Sequence, residues 1–129
     1  MTIIEFQAKF LHPMHLGQAF DVFCYPSEGE VRLYLQSASA SALAILKMRA
    51  EKGHGQISKT RCHKAECSDH IWQLTTDDGA RFLYFQDGPR RLVVVTASNK
   101  VKAKKFRIEV ERADQLRLEY LELKKGHVK

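Results

Sequence analysis

Apolar positions along the chain follow two periods. In the second half, "HIWQLTT" (70–76), "ARFLYFQ" (80–86) and "RLVVVTA" (91–97) are runs of aromatic and β-branched residues separated by "DDG" and "DGP". Runs of this type between turn-forming residues predict three consecutive antiparallel strands. Beyond them Phe106, Val110, Ala113, Leu116, Tyr120 and Leu123 recur at helical spacing, which predicts a long amphipathic helix covering the sheet.

The first half carries shorter signals. "FDVFCY" (20–25) has the composition of a core strand, and Pro26 ends it. Ser27 is read as the N-cap of a helix over "EGEVRLYLQS", with Val31 and Leu35 at helical spacing and Glu28 and Glu30 near the positive helix end. A second helix over "SASALAILKMRAEKG" places Ala42, Ile45 and Leu46 on one face and stops at Gly53. "QISKTRCHKAE" alternates weakly and reads as a strand. The fold class expected is α+β: a twisted antiparallel sheet of about four strands, with an N-terminal helix pair and a C-terminal helix packed on it. Residues 1–129 form a single domain in this reading, with 1–18 as an extra N-terminal arm or strand without a place in the sheet.

Composition narrows the class. The 129 residues suffice for one buried core, and a hydrophobic share of 44% exceeds what disordered chains carry. The longest apolar stretches, such as "LVVV", fall far below the roughly 20 residues that span a bilayer, so no membrane partner is expected. "MTIIEFQAKFLHP" lacks the basic leader and cleavage site of a secretory signal, and a cytoplasmic location is expected. Cys24, Cys62 and Cys67 are too few for a disulfide framework and read as free thiols.

Charge points to a partner. The net charge is +6, and acids and bases are mixed along most of the chain. The exception is Lys100 to Arg107, where Lys100, Lys102, Lys104, Lys105 and Arg107 stand without one acid among them. This run lies between the last strand and the closing helix, where side chains reach a partner without disturbing the core. If Lys104 and Lys105 open the helix, their charge opposes its dipole at a cost of about 0.3–1 kcal/mol, which an anionic partner offsets. A solvated loop that keeps the protein soluble is the alternative reading. Arg81 opens the middle strand, on the face of Leu83 and Phe85, and Arg90 and Arg91 open the strand leading to the lysines. A guanidinium at such a position clamps a phosphate or pairs with Asp77 or Asp78.

"CHKAECSDH" brings Cys62, His63, Cys67 and His70 together, but without paired-ligand spacing, and on a strand Cys62 and His63 face opposite sides. No metal site is assigned. His12 and His15, either side of Pro13 in the arm, receive no role.

The segment from Ile71 to Leu121 resembles the RelE/ParE toxin superfamily, in its HigB-like, phage-derived branch. The resemblance rests on Trp72-x-Leu74 at a strand start, Arg81-x-x-Tyr84 in the next strand, a further strand followed by Lys100 and Lys104, and "EVERA" at Glu109 to Ala113. Where that family usually has Glu-Leu-Arg after the tryptophan this chain has Gln73, Leu74 and Thr75, its Lys-Lys pair is Lys100 and Val101, and its proline before the helix is Phe106. The resemblance implies the toxin of a type II toxin-antitoxin system: an endoribonuclease, independent of metal and of any cofactor, that cuts mRNA on the ribosome and is held inactive by an antitoxin protein.

The reaction implied is attack of a ribose 2′-hydroxyl on its neighbouring phosphate, which needs a proton acceptor, a donor to the leaving oxygen and cations around the developing dianion. Lys100 or Lys104 serves as base if the crowded charges lower its pKa, and Arg81 clamps the phosphate. Tyr84 is the weakest catalytic candidate, since a core tyrosine with a wet hydroxyl is the commoner case. Arg90, Arg91, Lys102, Lys105 and Arg107 complete the expected RNA-binding surface. The alternative is a non-catalytic binding protein of the same fold, gyrase-inhibiting or a decayed phage protein, that grips nucleic acid or an acidic protein.

Overall fold

In the computed structural model, which describes residues 1–99 and 103–128 and, for His54, Ala103 and Lys104, the backbone only, the chain is α+β with a mixed sheet. Its elements are α1 (Ile3–Phe10), β1 (His12–Leu16), β2 (Asp21–Cys24), α2 (Glu30–Leu35), α3 (Ala40–Glu51), a 3₁₀ turn (His54–Gln56), β3 (Cys62–Lys64), β4 (Trp72–Thr75), β5 (Ala80–Asp87), β6 (Arg91–Asn99) and α4 (Ala103–His127).

Among the described residues the sheet has six strands in the order β1-β2-β6-β5-β4-β3. From β2 the chain crosses through α2 and α3 to the far edge at β3, then returns by three reversals until β6 lies beside β2. That pairing is parallel, and every other pairing is antiparallel. This corrects the expectation of four antiparallel strands: the β2–β6 contact joins segments about 70 residues apart and has no local turn signal.

Both faces of the sheet are covered. On one, Ala80, Phe82 and Tyr84 of β5 and Leu92 and Val94 of β6 pack against Val31 of α2 and Ala42, Ile45, Leu46 and Ala50 of α3. On the other, Leu83, Phe85, Val93 and Val95 pack against Val110, Ala113 and Tyr120 of α4 and Phe6 of α1. Strands buried on both sides read as continuous apolar runs, which is why "RFLYF" and "LVVV" show no alternation. A bulge shifts the register between Leu83 and Tyr84, with Tyr84 opposite Val94 and Leu83 opposite Thr96. Val95 is the extra residue, so Val95 and Thr96 both lie on the α4 side.

The amino-terminal segment is part of the domain. Thr2 and Glu5 form a reciprocal capping box that starts α1. Phe6, fully buried, meets the Tyr120 ring edge-on at 5.6 Å, and β1 extends the sheet beside β2. Gly17, between β1 and β2, approaches the end of α3 so closely that a Cβ would collide with the Ala50 carbonyl. That carbonyl, left without a partner at a helix end, accepts from the amides of Ala19 and Phe20 at 3.1 and 2.8 Å. The expected cap at Ser27 also needs correction, because α2 begins after Gly29 with no side-chain cap. Ser39 does cap α3, accepting from the Ala42 amide at 3.1 Å.

Candidate functional site

Arg81 is the second residue of β5 and faces α4, one ladder step inside the end of the sheet. It pairs across the sheet with Ser98 on one side and Thr75 on the other. The residue is 9% exposed, and its Nε and Nη1 atoms have no hydrogen-bond partner among the described residues. The expected pairing with Asp77 or Asp78 is absent: Asp77 accepts from Arg61 at 2.5 Å, and Asp78 accepts from the Thr76 hydroxyl. Instead the guanidinium lies 4.1 Å from the Phe106 ring centroid, a cation–π contact from the first turn of α4.

The carboxylate nearest in charge to Arg81 is Glu109, one turn further along α4 and itself buried. Its Oε1 accepts from Thr96 at 3.2 Å and from Ser98 at 2.8 Å, so the bulge that turns Thr96 towards α4 also anchors this carboxylate. Burial pushes the Arg81 pKa below its ordinary value, with Glu109 working against the shift. Two buried guanidinium nitrogens left without acceptors cost about 1–3 kcal/mol each, and an anion supplying acceptors at this end of the sheet offsets that cost.

The described part of the basic run borders this site through Phe106. Lys104 and Lys105 fall in the first turn of α4, which holds no acidic residue, so they oppose the helix dipole as expected. Lys105 and Arg107 are exposed. Lys100 and Lys102 lie outside the described residues, as does the side chain of Lys104.

Other candidates lie elsewhere. Tyr84 is three residues from Arg81, an odd separation on a strand, and so faces the helix pair. It is 1% exposed and accepts from Arg49 Nε at 3.1 Å, with Cys62 Sγ 3.4 Å away. Burial, foremost, raises its pKa, so it is a neutral core group remote from the Arg81 side chain. Arg91 starts β6, with Arg90 just before it, and the nine residues of the strand carry Ser98 roughly 23 Å from Arg91. Arg90 donates to the Gln18 and Gly17 carbonyls at 2.8 and 2.9 Å, and Arg91 Nε lies 3.4 Å from Asp87. They tie the arm and α4 to the sheet at its opposite end, which corrects the reading that both ends of β6 serve one RNA surface.

Cys62 and His63 do face opposite sides, the imidazole Nε2 lying 2.9 Å from the Gln73 amide. Glu109, Thr96, Ser98 and Phe106 have no place in the sequence-based site. The signal for Glu109 is an acid at an inward helical position, one residue before Val110; the bulge that turns Thr96 has none.

No family model, curated protein or solved structure matches this chain.

Proposed function

We propose that this protein is a RelE/ParE-type toxin, a metal-independent endoribonuclease that cuts mRNA by 2′-hydroxyl attack on the adjacent phosphate and is restrained by an antitoxin protein. The observation that carries the reading is Arg81, a buried guanidinium with two unpaired nitrogens against Phe106, a residue of the lysine-rich run. Guanidinium groups are suited to phosphate recognition, and a site that stores an unpaired cation is ready for the charge that develops in the transition state. Arg81 holds the phosphate, Lys100 or Lys104 takes the 2′-hydroxyl proton, and Lys105 and Arg107 hold the flanking backbone.

The second reading is a binding protein of the same fold that grips RNA without cutting it. Thr75 favours it: where the resembling family usually has an arginine, this threonine lies directly across from Arg81 and donates to the Thr60 carbonyl at 3.2 Å. The distinguishing experiment incubates the protein with RNA in chelator, alone and in a translating extract. The toxin reading expects fragments ending in a 2′,3′-cyclic phosphate or its hydrolysis product, and their loss in folded Lys100→Ala and Lys104→Ala variants. Binding without fragments in either setting establishes the second reading, and cleavage that survives both substitutions removes the lysine base.

A further inference from the structure

At the same end of the sheet, on the helix-pair side, lies a polar recess of about 250 Å³ lined by Tyr34, Ser37, Ser39, Asp78, Ala80 and Asn99. Ala80 and Asn99 are partners in the β5–β6 ladder, and the next pair inward is Arg81 and Ser98. The recess and the guanidinium are thus one ladder step apart on opposite faces of one sheet end, and a strand of nucleic acid crossing that end meets both.

The lining has a defined polarity. Asn99 accepts the Tyr34 hydroxyl on its Oδ1 at 3.2 Å, so its amide hydrogens remain for a ligand, with no acceptor among the described residues. Asp78 takes the Thr76 hydroxyl. Hydrogen bonds from Ser39, first, and Thr76 hold its carboxyl below the usual value, leaving an ionised acceptor with further lone pairs. The Tyr34 ring is braced edge-on against Phe82 at 5.7 Å, which fixes an aromatic surface in the wall, and Ala80 keeps the floor shallow.

We propose that this recess reads a guanine base of the RNA whose phosphate Arg81 holds; the inference rests on the RNA reading above. Among the four bases, guanine alone presents two adjacent N–H donors beside a carbonyl oxygen on its pairing edge, matching the Asp78 carboxylate and the Asn99 amide. Adenine and cytosine each turn the lone pair of an unprotonated ring nitrogen towards the carboxylate, and uracil offers one N–H donor between two carbonyl acceptors. Single-stranded bases are read in this way, by stacking on an aromatic ring with hydrogen bonds along the pairing edge. A bidentate contact of this type discriminates by about ten- to a hundredfold.

The test titrates the intact protein with 5′-GMP, 5′-AMP, 5′-CMP and 5′-UMP and follows the resonances of the recess by NMR. GMP is expected to bind at least about tenfold more tightly than the others, Asp78→Asn and Asn99→Ala each to abolish that preference in protein that remains folded by its NMR spectrum, and Arg81→Ala to weaken all four equally. Equal affinity for the four nucleotides, no binding, or a guanine preference that survives both recess variants overturns the proposal. The readout needs no cleavage, so guanine selectivity in a chain that cuts no RNA refutes only the nuclease reading, and base-indifferent cleavage refutes only the recess.

Discussion

Arg81 and Tyr84, three positions apart, show how local parity assigns roles. Removing the guanidinium while keeping most of the volume, as in Arg81→Met, relieves two buried nitrogens without partners and is expected to leave the stability in urea unfolding within about 1 kcal/mol of the wild type, while RNA affinity falls at least about tenfold. A large loss of stability would mean that the guanidinium is a structural group. Tyr84→Phe should behave oppositely. It strips the acceptor from the buried Arg49 Nε, lowers stability by about 1–3 kcal/mol, and leaves RNA binding and cleavage unchanged. A cleavage defect at full stability would return Tyr84 to the site. The odd spacing that separates the two side chains is legible in "RFLY" once the strand is placed; the parity shift at Val95 that brings Thr96 towards Glu109 is not.

At the scale of elements, α1 and β1 convert what reads as an arm into one edge of the sheet and a cover for α4. The N-terminal amine donates to the His127 carbonyl at 2.9 Å, Phe10 meets the His127 ring at 5.0 Å, and Phe6 fills the space between α1 and Tyr120. Phe6→Ala is therefore expected to destabilise the fold by about 3–5 kcal/mol, measured by urea denaturation, where an appendage would show almost no change. The signals for α1 were present in Thr2 and Glu5 at capping-box spacing, but eight residues of helix are marginal alone. Only contact with α4, more than a hundred residues later, gives them a reason to be helical.

Across the whole molecule, the end of the sheet opposite Arg81 is held by ionic contacts. Asp87 accepts from Tyr120 at 2.5 Å and from Lys124 at 2.8 and 3.0 Å. Burial pushes the carboxyl pKa up, but the hydrogen bonds from Lys124 and Tyr120 and the nearby cations outweigh it, and the value falls below the ordinary 3.8. A carboxyl with a lowered folded pKa contributes stability that is complete above its unfolded value and is lost as pH falls through its folded value. The wild type should therefore lose stability on acidification from about pH 5 to below 3.8. Asp87→Asn should be less stable at neutral pH by about 3 kcal/mol, with a shallower acid limb in urea titrations between pH 7 and 2.5. Parallel curves for the two proteins would show that this carboxylate does not govern the acid transition.

By itself the sequence determined what depends on neighbouring residues: the three-strand meander, the inward stripe of α4, the Ala42, Ile45 and Leu46 face of α3, and a lysine-rich segment without acids where strand gives way to helix. Each is set by side-chain period, turn chemistry or local charge, which act over a few residues. Tertiary structure decided the parallel union of β2 with β6, the enlistment of the amino terminus, the opposite locations of Arg90 and Arg81, and the placing of Glu109 and the Asp78 recess around one end of the sheet. These arise from contacts whose partners lie tens of residues apart, where the free energy comes from burying both faces of the sheet at once and no local pattern records the choice.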